Sequence, residues 1–137
     1  MVYNWFKQLF ATPQKFDKII VAKVTKVEKH PNADRLRIVE LTDGMNTIAP
    51  VVCGAWNFEA GALVALALPG AIIPQNIHSE THEPFVLQKA TIRGIESQGM
   101  LCAAFELGLA SKSDKPEIML LKDSAKLGSN FTPDLIR

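Results

Sequence analysis

Hydrophobic and polar positions alternate along most of the chain, and that period predicts short strands. In the stretch Phe16 to Glu28, Ile20, Ala22 and Val24 share one face while Lys23 and Thr25 share the other. Val27 falls on the face opposite Val24, so burying both predicts a bulge or strong bend near Thr25. His30-Pro31-Asn32-Ala33-Asp34 is a turn by chemistry, because proline fixes φ and the Asn and Asp side chains can bond nearby amides. Asn32 and Asp34 are expected to hold this turn. Strands follow at Arg35 to Thr42 and Thr47 to Cys53, joined at the hairpin signal Asp43-Gly44.

Gly54 to Gly61 interrupts the strands with a loop or one helical turn, in which Asn57 is expected to bond local backbone. A fourth strand runs from Ala62 to Leu68 and ends at Pro69-Gly70. The polar, irregular stretch Gln75 to Pro84 predicts a mobile surface loop. A fifth strand is predicted from Phe85 to Arg93, then a helical turn near Phe105 to Leu109 and a short strand from Ile118 to Leu121. Ahead of all this, Tyr3, Phe6 and Phe10 recur at helical spacing with Trp5 and Leu9 beside them, which predicts a short amphipathic helix closed by Thr12-Pro13.

Five or six short strands with one helical interruption after the third point to an all-β protein. A five-stranded Greek-key OB-fold barrel is the leading candidate and an SH3-like barrel the second. Bent first strands suit a small closed barrel. The expected organisation is an N-terminal helix and linker over residues 1–16, the barrel over 17–121, and a small C-terminal extension over 122–137.

Composition narrows the function classes. A chain of 137 residues with 47% hydrophobic and 21% charged residues can bury its own core as one domain. Its net charge of +1 offers no broad basic field, so a nucleic-acid partner would have to be met by a local cluster of Lys and Arg. Cys53 and Cys102 lie in apolar runs without metal or redox spacing, and read as reduced, buried side chains of a cytoplasmic protein. The N-terminal apolar residues are interrupted by Asn4, Lys7 and Gln8, unlike a signal peptide. The longest apolar run, Gly61 to Ile73, is too short to span a bilayer, so no membrane association is expected.

The most distinctive stretch is Lys89 to Cys102. Lys89, Thr91 and Arg93 fall on one face of an extended segment, giving it a basic outer surface, while Ala90 and Ile92 fall on the other. Gly94 and Gly99 bracket a polar turn, Ile95 to Gln98, and suggest a backbone that turns sharply or admits a close neighbour. An apolar run from Met100 to Ala104 then predicts a buried strand. A hairpin edge and a binding surface both fit these residues.

No catalytic set or phosphate loop is present, and no cofactor is expected. His78 and His82, four apart with Glu80 and Glu83 nearby, could in principle ligate a metal. They lie in a loop with no supporting residues legible, so no metal site is expected there.

Four motifs occur in order: Val-Glu-Lys-His-Pro-Asn-Ala-Asp-Arg-Leu (Val27 to Leu36), Val-Cys-Gly-Ala-x-Asn (Val52 to Asn57), Ala-Leu-Pro-Gly-Ala-x-x-Pro (Ala67 to Pro74), and Ile-Arg-Gly-Ile-Glu-Ser-Gln-Gly-Met-Leu-Cys (Ile92 to Cys102). Glu-Leu-Gly-Leu follows at Glu106 to Leu109. Together they resemble the tRNA-binding domain of the EMAP-II-like OB family, and within it the domain near the N-terminus of bacterial phenylalanyl-tRNA synthetase β subunits. The resemblance covers about Asp17 to Leu121. It implies an OB barrel that binds tRNA by shape and backbone and has no chemistry of its own. On the family's motif positions the implied RNA-binding residues are Arg93, Ser97, Gln98 and Met100, with Lys89 on the same strand face as Arg93. Met100 would either pack under a base or continue the apolar run into the core.

Two function classes follow. The chain is a tRNA-binding module of aminoacylation, as a fragment of a synthetase β subunit or a stand-alone protein. Alternatively it is a protein-interaction or dimerisation module on the same fold, partnered by a synthetase subunit or a second copy of itself.

Overall fold

The computed structural model describes residues 15–137, and the helix expected near Tyr3 to Phe10 lies outside the described residues. Those residues are all-β. They form β1 (Ile19–Lys29), β2 (Arg37–Thr42), β3 (Thr47–Cys53), β4 (Leu63–Ala67), β5 (Ile72–Ile73), β6 (Phe85–Val86), β7 (Ala90–Ile92), β8 (Ile95–Ser97) and β9 (Met100–Leu101), plus two single 3₁₀ turns at Phe105–Leu107 and Pro133–Leu135. No helix among them is long and apolar enough to cross a membrane.

The main sheet has the order β3-β2-β1-β4-β9. Its centre is β1, whose first half pairs with β4 from Ile19↔Ala67 to Lys23↔Leu63 and whose second half pairs with β2 from Lys23↔Thr42 to Lys29↔Arg37. The register shifts between Val24 and Lys26, which places the expected bulge at Thr25. That bulge increases the local bend. It lets one strand serve two neighbours on a curled sheet.

Burial explains the composition of β1 and β4. Ile19 and Val21 pack with Ala65, Ala67, Ile73, Cys102 and Phe131 on one side of the sheet, while Ala22 and Val24 pack with Val39, Leu41, Val51, Val64 and Leu66 on the other. A strand buried on both faces reads as a continuous apolar run. Ile19-Ile20-Val21-Ala22 and Leu63 to Ala67 are such runs. The second layer comes partly from residues 122–137. Phe131 is fully buried with its ring 5.5 Å from that of Phe16, its amide donates to Ile19 O at 2.8 Å, and Gly128 N donates to Val21 O at 2.8 Å.

Three local expectations need correction. The predicted fifth strand is two separate pieces, since β6 pairs with β5 whereas β7 pairs with β8. The predicted polar turn Ile95 to Gln98 contains strand β8; the turn is instead Arg93-Gly94. Ile118 to Leu121 contributes isolated bridges, Val64↔Leu120 and Leu121↔Ile136, rather than a strand. The stretch Gln75 to Pro84 is a surface loop, as expected, with Asn76 N donating to Glu83 O at 3.1 Å and the His82 ring edge-on to Phe105 at 5.0 Å.

Candidate nucleic-acid interface

The β7–β8 hairpin is the centre of the candidate site. Its ladder is Ala90↔Ser97, Thr91↔Glu96 and Ile92↔Ile95. Two residues, Arg93 (φ 52°) and Gly94 (φ 87°), connect the strands, both in the left-handed region. Such a pair makes the two-residue turn whose twist matches a hairpin. Glycine suits the second position because it has no Cβ to strain. Arg93 is exposed at the tip, so it leaves the strand alternation that was expected to align it with Lys89 and Thr91. Lys89 is exposed just before β7. The outer face also holds a carboxylate the alternation missed, Glu96 opposite Thr91.

Segment 97–101 joins the two edges of the main sheet. Ser97 is 4% exposed; its hydroxyl accepts from Val52 N of β3 at 2.9 Å and donates to Gly99 O at 2.9 Å. Gln98 N donates to Pro50 O of β3 at 2.9 Å. Two residues later, Met100 and Leu101 pair with Ala67 and Leu66 of β4. The strand edges β3 and β4 are thus bridged by five residues. Gly99 lies between, where a Cβ would come 2.7 Å from Ala67 O. That is the close approach its glycine suggested.

The expected binding residues therefore differ in situation. Lys89 and Arg93 are exposed cations without an ion pair among the described residues. Gln98 is half-buried, its amide donating to Glu96 O and Glu96 Oε1 at 3.2 Å each. Ser97 sits beneath the surface with its hydroxyl donor committed. Met100 is partly buried and packs against the core cluster of Ile19, Ala67 and Cys102.

The His30 turn flanks the hairpin, and its fastening differs from expectation. His30 is 1% exposed; Nδ1 accepts from Asn32 N at 3.0 Å and Nε2 faces Ile92 O of β7 at 3.1 Å. An acceptor at Nδ1 assigns the ring proton to Nε2, which donates to Ile92 O. The ring, with Leu36 N donating to Ala33 O at 3.3 Å, holds the turn. The Asp34 side chain is exposed and meets only Lys29, at 3.6 Å. Asn57 likewise reaches beyond its own loop. Its amide pairs with the Ile118 backbone in both directions, at 3.0 and 3.1 Å, as another peptide group would.

On the other side of the same turn stands Trp56. Its Nε1 donates to Arg35 O at 3.0 Å, and its ring lies 4.6 Å from the Arg37 guanidinium carbon. Arg37 is only 4% exposed, stacked also on Phe58 at 4.6 Å, bonded to Ala55 O, Phe58 O and the Glu59 carboxylate. Sequence reasoning missed both residues. Two aromatics spaced around a Gly-Ala loop could have suggested a cation between them.

No nucleophile emerges from the buried titratable groups. Cys53 and Cys102 are free, and burial pushes both thiols up from their ordinary value, away from the reactive thiolate. Burial also raises the Glu106 carboxyl, partly countered by a hydrogen bond from Ala103 N at 2.9 Å. Among the described residues no three His, Cys, Asp or Glu side chains converge as metal ligands.

A curled all-β module with a rigidly docked, cation-tipped hairpin is the class of protein these features define. The sequence matches, over residues 19–130, the family described as "Putative tRNA binding domain", and the chain belongs to that family. It is 37% identical over 116 residues to a phenylalanine–tRNA ligase β subunit of Bdellovibrio bacteriovorus, covering 85% of this chain and 13% of that protein. For the β subunit of Chlamydia pneumoniae the identity is 42% over 121 residues, covering 88% and 15%. The chain thus spans about one seventh of the length of these curated relatives, and what it matches there is a binding domain and not a catalytic one. Among solved structures, a methionyl-tRNA synthetase (MetRS) related protein from Pyrococcus horikoshii superposes with TM-score 0.59 at 18% identity, covering 83% of this chain and 88% of that one. The C-terminal domain of Plasmodium vivax p43 gives 0.52 at 24% identity, covering 80% and 56%. These two likenesses concern the fold.

Proposed function

We propose that the chain is an OB-fold module that binds tRNA in the service of aminoacylation, either within a phenylalanyl-tRNA synthetase β subunit or as a separate tRNA-binding protein. In this reading β1, β2, β3, β4 and β9 are the five Greek-key barrel strands. The body over 17–121 carries a C-terminal extension, 122–137, fastened along β1, and a leading segment, 1–16. The observation that carries the reading is the β7–β8 hairpin, which offers Lys89 and Arg93 from a platform fixed to β3 by Ser97 and Gln98. A rigid platform presents cations to phosphates at little ordering cost. Lys89 and Arg93 contact phosphate, Gln98 contacts sugar or base, Ser97 holds the hairpin in place, and Met100 supports it from the core. Two free buried thiols are in keeping with a cytoplasmic setting.

A gel shift with total tRNA at low and raised salt tests the reading. A shift that weakens with salt supports it; none at low salt refutes it.

One observation favours a second reading as a protein-interaction or dimerisation module. Ile72 and Val86 are cross-strand partners on β5–β6, 58% and 54% exposed. A synthetase subunit or a second copy of the chain would be the partner. Sedimentation of the isolated chain across concentrations separates the self-associating case from a monomer.

A further inference from the structure

We propose that Trp56 is a stacking platform for an unpaired RNA base, extending the interface from the hairpin across the His30 turn. This inference rests on the tRNA-binding reading. Trp56 is the one aromatic among the exposed large hydrophobic side chains of the described residues, at 51% exposure. An exposed tryptophan that swings freely would be poor ground for a ligand, but this one is fixed twice. Its Nε1 is spent on Arg35 O, and one ring face rests on the buried Arg37 guanidinium. What remains available is a flat apolar surface, already ordered and with no polar atom left to satisfy. Every nucleobase can stack on such a surface.

The surroundings favour a base over a phosphate. Trp56 borders a depression of about 440 Å³ shared with Asn57, Glu59, Leu63, Asp123 and Arg137, a volume in the range of small-molecule sites. Two carboxylates against one guanidinium make it no anion pocket. On the turn side Arg35 is exposed, and its backbone carbonyl accepts from the Trp56 ring nitrogen. A base on Trp56 therefore places its phosphate toward Arg35. The same turn is tied to the hairpin through His30 and Ile92, which couples the Trp56 platform to the hairpin cations through one fastened turn.

The experiment uses the full chain with Trp5→Phe, so that Trp56 is the sole tryptophan. Its emission is followed while total tRNA, a 12-nucleotide single-stranded RNA, or a blunt RNA duplex of the same length is added. Stacking predicts quenching by tRNA and by the single strand, and little by the duplex. Trp56→Ala should weaken tRNA binding about tenfold or more with the salt slope unchanged, and Trp56→Phe should retain most of the affinity. Melting temperatures are measured alongside, since Trp56→Ala also uncovers Arg37; Trp56→Phe keeps that cover. The inference is overturned if tRNA binds without quenching, or if Trp56→Ala binds as tightly as the parent. In either case the hairpin reading stands. A parent chain that binds no tRNA overturns both.

Discussion

The His30 ring stands between the turn it belongs to and the hairpin opposite, accepting from Asn32 N at Nδ1 and donating from Nε2 to Ile92 O at 3.1 Å. These residues are sixty-two positions apart. Replacing His30 with Ala removes the acceptor of the Asn32 amide and the ring donor to the Ile92 carbonyl at a partly buried place, which should lower stability by about 1–3 kcal/mol. Chemical denaturation reads the total. Hydrogen exchange should show the loss concentrated in residues 30–36 and the β7–β8 hairpin; uniform loss across all strands would contradict the coupling.

The bridge between the sheet edges makes a sharper prediction. Gly99→Ala puts a Cβ 2.7 Å from Ala67 O, a backbone atom of a paired strand that has no free space to yield. Gly54→Ala is the control, with its nearest neighbour, Leu36 Cδ2, at an ordinary 3.5 Å. The first should lower the melting temperature by several degrees, as about 1–3 kcal/mol of overpacking would; the second should change it little. Ser97→Ala, which orphans Val52 N–H, should fall on the destabilised side with Gly99→Ala.

Strand alternation and turn chemistry made the main sheet legible, because β1 to β4 are long enough for period and punctuation to agree. The Thr25 bulge was legible too, since Val24 and Val27 cannot share a face without it. What the sequence hid were contacts between distant segments. This hairpin turn has positive φ at both positions, Arg93 and Gly94, and an Arg-Gly pair does not announce that as Asn-Gly would. Nothing local says that His30 is satisfied by Ile92, or that Asn57 will imitate a peptide bond for Ile118. Of the expected contact residues, Lys89 and Arg93 were legible as exposed cations by type. Ser97 was not separable from them, because a serine in a polar run looks the same whether its hydroxyl faces solvent or a strand edge.

Glu106 gives the fold a specific pH dependence. Burial raises its carboxyl above the ordinary value of 4.5, so the native state binds the proton more tightly than the unfolded chain does. Its stabilising contribution is full below pH 4.5 and is lost as pH rises through the raised value. Glu106→Gln keeps an oxygen acceptor for Ala103 N and removes the charge. The difference in unfolding free energy between Glu106→Gln and the parent should therefore grow from acid toward neutral pH and then level off. A difference independent of pH would remove Glu106 as the cause.

The strongest test of the interface itself concerns Lys89 and Arg93. Both are exposed, both lack a carboxylate partner among the described residues, and neither takes part in the core, so replacing both with Ala should leave the melting temperature nearly unchanged. If each neutralises a phosphate, the double variant should weaken binding by similar factors for different tRNA species and lower the slope of log affinity against log salt by about one to two units. Met100→Ala supplies the contrast. Its side chain packs on the Ile19 and Cys102 cluster, so it should lower stability by about 2 kcal/mol or more while leaving the salt slope intact. Paired melting and salt-dependent titrations distinguish the two. Equal tRNA affinity for the Lys89/Arg93 double variant and the parent at every salt concentration would exclude the hairpin as the binding surface and turn attention to the exposed Ile72–Val86 pair.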